Sequence, residues 1–396
     1  MAAELDLRAP TVGAWPAMQP EGPKVGLVMP LATVRGGAEQ MLLDLCRQRT
    51  VTRSRLAVAF LEDGPLVGTV RSLGLPVALI PRGQLRQPHR FAATVARLAQ
   101  WVRSERLEGV VSWMPLAHLY AGPAGLATVG ADRVVWFQHG LVSRKATAWM
   151  DWLPARVPAR EVWLPSRHTA EAHRRLAPEL SVRVIYPSVD LARFAPARLP
   201  SASEARRRLG LPATTPTVGM VSRLEPWKGC TTLVAAAPAI LRRMPEARFV
   251  IVGGPHFSAP DYPERLRAMA AKLGVHERFT WAGHQADVPT WMQAMDVVVH
   301  ASWGEPFGMT VLEAMALGKP VVAAASGGPL ESVRDGVDGL LVPPGEPGSL
   351  ADAVSRFLQH PAEARAFGAR AQVRAQHFSA SEMARTVGAS LHSVFS

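Results

Sequence analysis

The strongest constraint on the fold of this chain is a repeated alternation of short apolar runs with segments of helical periodicity. Continuous apolar runs at 25–30, 109–114 and 134–138 are separated by stretches whose apolar residues recur at helical spacing, for example 90–107. Strands that are apolar on both faces and joined by helices predict a parallel sheet with helices on both sides. The first half of the chain is therefore expected to form a doubly wound α/β domain.

The alternation stops at residue 187 and resumes at residue 217. The interval 187–216 is rich in proline and small residues, which favours a linker followed by one short helix. Apolar runs then return at 217–222, 248–254 and 297–302, again with helical segments between them. We therefore expect two doubly wound Rossmann-like α/β domains, with ligands at the carboxyl ends of the strands in a cleft between the domains.

The expected domain boundaries follow from these breaks. Residues 1–23 contain acids and prolines and are expected to form a flexible arm. The first domain is predicted over residues 24–190 and the second over residues 191–375. Residues 376–396 are predicted to form a C-terminal helix that packs back on the first domain.

Composition excludes several classes of protein. The chain has 396 residues, of which 48% are hydrophobic and 19% charged, which is typical of two globular domains. It has no apolar stretch of about 18–20 residues, and residues 1–23 lack the apolar core of a signal peptide. With two cysteines and no Cys/His cluster at metal-ligand spacing, neither a disulfide framework nor a metal site is expected. A cytoplasmic location is the resulting expectation.

The chain is basic, with a formal net charge of +12, and its first half is the more basic one. Residues 1–190 carry 23 basic and 15 acidic residues. Such an excess can serve anionic lipid, nucleic acid or an acidic substrate, or it can reflect a general preference for arginine. No basic stripe with interleaved aromatic residues occurs, so nucleic acid is not an expected partner. Peripheral contact of the first domain with the inner face of a membrane stays open.

Two glutamates mark the most informative motif. Glu305 and Glu313 lie in the run 300–328, which reads as strand, glycine-containing turn, helix, turn and strand. The helix is expected to begin between the two acids, and the amides of a helix N-terminus bind anions. A nucleotide-sugar satisfies both features, because it offers hydroxyls to carboxylates and a diphosphate to amides. The amides in question belong to Phe307, Gly308, Met309 and Thr310.

A second motif follows the first predicted strand of the second domain. Arg223 and Lys228 lie five positions apart in a turn that contains Pro226 and Gly229. Arginine offers a bidentate fork and lysine a point charge, and both suit a diphosphate. Taken alone, the run is equally compatible with a solvated turn whose charges cap a helix. Because both motifs lie at strand ends of one predicted sheet, they favour a shared ligand.

Together these motifs resemble those of the retaining glycosyltransferases of family 4, whose fold is called GT-B. The resemblance covers nearly all of residues 25–390. Its most specific element is the E-x7-E pattern, here EPFGMTVLE, and the second is SRLEPWKG. Three more segments are similar to motifs of the family: RGGAEQML (35–42), FQHG (137–140) and VIYPSVDLARF (184–194), in which Pro187 and Ser188 replace the usual Asn-Gly.

The resemblance implies a role for each motif. Glu305 would contact the transferred sugar near its reacting carbon, and Glu313 the ribose of the nucleotide. Arg223 and Lys228 would stabilise the diphosphate together with the amides of 307–310. His139 would contact the transferred sugar or the acceptor. Further donor contacts are expected from the backbone of Gly36, Gly37 and Gly254.

The implied reaction moves a sugar from a nucleoside diphosphate to an acceptor hydroxyl with retention of configuration. No D-x-D sequence occurs, so no metal or other cofactor is expected, and cations and amides would stabilise the leaving diphosphate. The sequence offers no nucleophile for the opposite face of the sugar. This favours attack from the face that the diphosphate leaves.

Other functions and several acceptors stay open. A GT-B sugar-nucleotide epimerase or phosphorylase is one alternative, and a non-catalytic subunit that binds a nucleotide-sugar is another. The acceptor, whether a glycan, a lipid-linked sugar or a small-molecule natural product, is expected to meet the loops 81–90 and 141–152. The second loop carries Arg144 and Lys145 beside aromatic residues, which suits a lipid-linked acceptor at a membrane surface or simple local packing.

Overall fold

The chain folds as two α/β units in a computed structural model that describes residues 22–34, 36–141 and 149–396. One unit comprises the described residues up to Ser188 together with Ala380–Ser396, and the other is Val189–Ser379. The first boundary thus falls after residue 188, where 190 was expected, and the second after residue 379, where 375 was expected. The predicted arm, residues 1–23, lies outside the described residues except for its last two. Arg144 and Lys145 also lie outside them.

The first unit is built on a seven-stranded parallel sheet with the order β3-β2-β1-β4-β5-β6-β7. Its central strands are buried along nearly their whole length, as expected for a sheet covered on both faces. The strands are β1 (Lys24–Met29), β2 (Arg55–Phe60), β3 (Val77–Leu79), β4 (Gly109–Trp113), β5 (Val134–Phe137), β6 (Glu161–Leu164) and β7 (Val182–Val184).

Helices connect these strands in the right order for a doubly wound unit. They are α1 (Gly37–Arg47), α2 (Pro65–Ser72), α3 (Pro88–Ser104), α4 (Met114–Leu126), α5 (Trp149–Trp152) and α6 (Arg167–Leu176). Local sequence explains where four of these helices begin, namely α2, α3, α4 and α6. Proline stands in the first turn of the first three, where its missing N–H is harmless, and Ser166 caps α6 by accepting from the amide of Thr169.

The second unit has a six-stranded parallel sheet with the order β10-β9-β8-β11-β12-β13. Its core lies between the sheet and the helices and is formed by buried side chains such as Val218, Phe249 and Val299. The strands are β8 (Thr217–Val221), β9 (Arg248–Val252), β10 (Phe279–Gly283), β11 (Val297–His300), β12 (Val321–Ala324) and β13 (Leu340–Val342). The predicted pair of doubly wound α/β domains is therefore confirmed.

Eight helices accompany this sheet within the described residues, and among them α13 packs against α8 and α14 against α11. They are α7 (Ala202–Arg208), α8 (Cys230–Arg243), α9 (Tyr262–Lys272), α10 (Val288–Gln293), α11 (Met309–Ala316), α12 (Pro329–Ser332), α13 (Pro347–Gln359) and α14 (Pro361–Ala375). No helix in the described ranges is both long enough and apolar enough to cross a membrane.

The last helix, α15 (Ala380–Phe395), belongs to the first unit although it follows the second in sequence. It contacts α1 and buries Val387, Leu391 and Phe395 in the core of that unit. A Cβ at Gly109 would lie only 2.5 Å from the ring of Phe395, so the start of β4 accepts the ring because it lacks a side chain. The helix is thus a packed part of the first unit.

We expect Phe395→Ala to lower the free energy of unfolding of the first unit by about 3–5 kcal/mol, because a fully buried phenyl ring is removed. Phe257→Ala is the matched control, since its ring is 88% exposed, and should change stability by less than about 0.5 kcal/mol. Denaturant titration followed by amide exchange in β1 and β4 measures both. Equal stability of the two variants would show that α15 does not stabilise the first unit.

Candidate functional site

The predicted site residues of the second unit gather where its sheet changes winding direction. Strands β8 and β11 are neighbours at the centre, and the chain proceeds from β8 toward one edge and from β11 toward the other. The loops that leave the carboxyl ends of two such strands diverge and leave a crevice, which is where open α/β sheets bind ligands. Lys228 follows β8, and Glu305 follows β11.

Gly229 brings the loop after β8 against the end of β11. Its φ is +76°, in the left-handed region, and a Cβ there would lie 2.0 Å from the carbonyl oxygen of Ala301. Only glycine fits, for both reasons. The amide of Trp303 also donates to the carbonyl of Trp227 at 2.8 Å. This close approach carries Lys228 to the side chain of Glu305.

Lys228 and Glu305 form a buried ion pair. The distance from Lys228 Nζ to Glu305 Oε2 is 2.7 Å, and the two side chains are only 13% and 9% exposed. His300, the last residue of β11, approaches the same oxygen with its Nε2 at 3.3 Å. The ammonium also lies 4.0 Å from the ring centroid of Trp227, a cation–π distance. Two side chains that follow or end neighbouring strands thus converge on one carboxylate.

These neighbours keep Glu305 ionised. Burial alone would raise the pKa of its carboxyl, but the hydrogen bond from His300 and the charge of Lys228 outweigh burial. The pKa is therefore held well below its usual range. Glu305 is a carboxylate at any pH at which the protein is expected to work.

The backbone of Glu305 is fixed by the loop after β12. Gly328 donates its amide to the carbonyl of Glu305 at 2.9 Å. A Cβ at Gly327 would lie 2.0 Å from that carbonyl oxygen, and the φ of Gly327 is +72°. On the other side, the amide of Gly304 donates to Ser326 Oγ at 2.7 Å. The position of the carboxylate is therefore set by main-chain contacts as well as by its ion pair.

The helix N-terminus predicted between the two glutamates is present. Helix α11 begins at Met309, and Gly308 occupies the N-cap with φ +94° and without a capping side chain. Thr310 lies in its first turn, and Phe307 precedes the cap and is buried. Backbone amides of an uncapped helix start suit an anion.

Glu313 lies in a very different environment from Glu305. It is half-buried on α11, and its carboxylate has no hydrogen-bond partner among the described residues. Burial raises the pKa of its carboxyl to about 7, although the positive charge of Arg193 works against this. A carboxylate in such a place lacks the partners that burial demands.

Arg223 does not join the ion pair. Its side chain is 53% exposed, and its Nη2 lies 3.5 Å from Oε2 of Glu225. Glu225 is buried and also accepts from Trp227 Nε1 at 3.0 Å, so it ties the two ends of this loop together. Gly254 lies beside the loop, since its carbonyl accepts from the amide of Leu224 at 2.8 Å.

In the first unit, two predicted donor-binding glycines mark the start of α1. Gly36 is the N-cap and Gly37 the first helical residue. The backbone of Gly36 is extended, and the nearest described atom to a Cβ built there is Glu39 Oε2 at 3.6 Å. A residue with a side chain could therefore replace Gly36 without backbone strain and without a clash inside the first unit.

His139 lies at the carboxyl end of β5 in the first unit. Its ring stacks on Phe137 at a centroid distance of 4.1 Å and lies 5.0 Å from Trp113. Burial lowers the pKa of its imidazole to about 3, so the ring is neutral. Its Nε2 is buried without a partner among the described residues, which leaves one polar atom for a ligand.

Sequence reasoning missed three neighbours of the predicted residues. They are His300, Glu225 and Trp227. A polar residue at the end of the apolar run VVVH was the available signal for His300, because such a position faces the ligand edge of a parallel sheet. No cluster of three or more His, Cys, Asp or Glu side chains able to hold a metal occurs among the described residues.

Comparison with known proteins identifies the family. A model described as glycosyl transferases group 1 matches residues 201–374, and one described as Glycosyltransferase Family 4 matches residues 35–193. This chain belongs to glycosyltransferase family 4. The two matches cover both α/β units, and the motifs that carried the resemblance lie within them.

Curated relatives of this family 4 member are identical to it at about a third of the aligned residues. D-inositol 3-phosphate glycosyltransferase from Salinispora arenicola is 36% identical over 271 residues, which is 64% of this chain. The enzyme of the same name from Salinispora tropica is 34% identical over 292 residues, which is 69% of this chain. The chain spans 59% of the length of each of these relatives.

Solved structures confirm the GT-B class of this family 4 member. HepE from Anabaena, solved in complex with UDP and glucose, is 27% identical with a TM-score of 0.79. The match covers 94% of this chain and 100% of HepE. A glycosyltransferase from Rickettsia africae has a TM-score of 0.80 at 20% identity, covering 94% and 99% of the two chains, and shows the shared fold.

The environment of Glu313 predicts a dependence of stability on pH. Its carboxyl has a pKa raised to about 7, above the value of about 4.3 in an unfolded chain. The stabilisation it contributes is complete below the unfolded pKa and is lost as pH rises through 7. Glu313→Gln should therefore gain about 1–2 kcal/mol over the wild type at pH 8.5, after solvent screening is allowed for, and gain nothing at pH 4.

Urea titrations at both pH values measure this difference. Glu246→Gln is the matched control, because Glu246 is an exposed acid of the same unit and its replacement should change stability by less than about 0.5 kcal/mol. An equal effect of the two substitutions at pH 8.5 would contradict the assignment of Glu313 as a strained carboxylate.

Proposed function

We propose that this protein is a retaining, metal-independent glycosyltransferase that transfers a sugar from a nucleoside diphosphate to an acceptor hydroxyl. The observation that carries the proposal is the buried Lys228–Glu305 pair at the switch point of the second sheet. Glu305 lies on the loop that leads into α11, whose uncapped N-terminus suits an anion, and Lys228 reaches it from the loop after β8. A cation after β8, and a carboxylate and a helix start after the neighbouring strand β11, match a diphosphate joined to a sugar.

Lys228 can serve Glu305 and the diphosphate together. An ammonium group has three N–H donors, and one of them is used by Glu305 Oε2. The others are available to phosphate oxygens, and the amides of α11 add to them. Because this charge is in place before the reaction, it stabilises the negative charge that develops on the leaving diphosphate without reorganisation.

Glu305 is suited to accept hydrogen bonds from the donor sugar. It is ionised, as its lowered pKa requires, and a carboxylate is an acceptor only. Its Oε2 is already engaged by Lys228 and His300, which lowers its reactivity toward the anomeric carbon. This supports a binding role for Glu305 and attack on the sugar from the face of the leaving group, with the departing phosphate oxygen taking the proton of the acceptor.

Glu313 gains its missing partners from the nucleotide in this proposal. A ribose diol would donate two hydroxyls to the carboxylate, which no described residue does. Binding would then stabilise the ionised form and lower the pKa of Glu313 from about 7. Arg223, exposed beside the same loop, would reach the diphosphate from the solvent side.

Gly36 and Gly37 are assigned to the donor, and His139 to the transferred sugar or the acceptor. His139 is neutral, so it would act by hydrogen bonding rather than by charge. The relatives' names make inositol phosphates the first acceptors to test, followed by glycans, lipid-linked sugars and small natural products. The HepE complex makes UDP-glucose the first donor, followed by UDP-N-acetylglucosamine, GDP-mannose and ADP-glucose.

The central test is Glu305→Gln, which keeps size and removes charge. We expect donor consumption and transfer to fall by about 100-fold or more, because the transferred sugar loses a charged acceptor and Lys228 loses its counter-charge. Mass spectrometry of donor and product measures both, with circular dichroism to verify folding. Glu246→Gln controls for loss of a remote acid. Transfer by folded Glu305→Gln within about threefold of the wild type would contradict the proposed role.

Metal independence is tested with a chelator. Because Lys228 and the amides of α11 supply the positive charge, EDTA should leave the transfer rate within about twofold. A manganese-dependent glycosyltransferase assayed in the same buffer shows that chelation is complete. Loss of transfer in EDTA that manganese restores would refute the metal-free reaction.

A further inference from the structure

His300 stands out because it touches the key carboxylate and has no role from its motif. It ends β11, is 3% exposed, and lies outside the E-x7-E pattern. Its Nε2 is 3.3 Å from Glu305 Oε2 and 3.4 Å from Ser302 Oγ. Its other ring nitrogen, Nδ1, is buried and has no partner among the described residues.

The chemistry of the two groups determines which is the donor in the contact between His300 and Glu305. A carboxylate only accepts, so His300 must donate through its Nε2–H. In the neutral ring Nδ1 is then a bare acceptor, and no described donor reaches it. The ring is therefore directed by the contacts of Nε2 with Glu305 and Ser302 and by the end of a buried strand, and not by a hydrogen bond at Nδ1.

The two oxygens of Glu305 are consequently unlike. Oε2 accepts from Lys228 at 2.7 Å and faces His300 at 3.3 Å. Oε1 receives no hydrogen bond from any described residue, and it is not among the described polar atoms that are fully buried without a partner. Oε2 is therefore held by the protein, and Oε1 is available to accept a hydrogen bond from a ligand.

We propose that His300 is a positioning residue: it fixes Oε2 of Glu305 so that Oε1 is the oxygen offered to a hydroxyl of the donor sugar. The inference rests on the proposed function, and His300 itself touches no reacting atom. Its part differs from that of Lys228. Lysine is a point charge on a flexible stem and is shared with the diphosphate, whereas an imidazole at a strand end is rigid.

Four variants test this with the wild type as reference. His300→Leu removes the donor and keeps an apolar side chain of similar size. His300→Gln places an amide N–H near the position of Nε2. His173→Leu is the matched control, because His173 is also fully buried but neither ring nitrogen has a described partner. The fourth is His300→Leu combined with Glu305→Gln.

Two readouts separate positioning from support of the fold. The first is kcat and KM for the donor of the panel above that the wild type consumes fastest, starting from UDP-glucose. The second is the Kd of UDP, which has the diphosphate and ribose but no sugar. A residue that only supports the fold would change both, whereas a residue that aims Glu305 at the sugar changes the first alone.

We expect His300→Leu to lower kcat about 10- to 100-fold, the range of one hydrogen bond to a charged group. The Kd of UDP should stay within about threefold. His300→Gln should recover kcat to within about fivefold of the wild type, and His173→Leu should keep it within about threefold. In the Glu305→Gln background, His300→Leu should cost less than about twofold more, because it acts through that carboxylate.

Other results overturn the inference. Equal losses in His300→Leu and His300→Gln, a parallel loss of UDP affinity, or full additivity with Glu305→Gln would each make His300 a structural residue only. If the folded wild type consumes none of the donors, the proposed function fails and this inference fails with it. If the wild type consumes a donor and His300→Leu does so equally well, only the role of His300 is refuted.

Discussion

The second unit is organised around two opposite charges removed from water. Burying such a pair costs several kcal/mol for each ion, and close geometry with further hydrogen bonds must offset that cost. Lys228 and Glu305 meet at 2.7 Å, and His300 supplies another donor. The approach is possible only because Gly229 and Gly327 let main chain pass main chain without a Cβ. The ion pair thus depends on the tight turns that these glycines allow at the carboxyl ends of the strands.

The surroundings of Glu305 and Glu313 shift the pKa values of the two carboxyls in opposite directions. Glu305 is buried with a cation and a donor, and its pKa falls below the usual range. Glu313 is half-buried without a partner, and its pKa rises to about 7. Identical side chains in unlike environments take unlike tasks. In the proposed reaction, Glu313 and Oε1 of Glu305 would meet two separate parts of one ligand.

Much of this was accessible from sequence, because apolar periodicity reports strands and helices directly. The strands β1, β4, β5, β8, β9 and β11 and the helix start between Glu305 and Glu313 followed from local patterns. The contact of His300 with Glu305, and the network of Glu225, did not. They depend on how closely loops after different strands approach, which Gly229 controls, and no local pattern encodes that distance. The expected contact of Gly36 with the donor stays a prediction, since its backbone is extended and uncrowded in the first unit.

The return of α15 to the first unit also bears on how the chain is made. Residues 380–395 supply Leu391 and Phe395 to a core whose strands are synthesised first. Domains generally fold as units during synthesis, in the order in which they leave the ribosome. Here the first unit is completed only after the second unit has been synthesised, because α15 follows the second unit in sequence. The second unit can fold while the first still lacks its last helix, so apolar surface of the first unit stays uncovered until α15 has been translated.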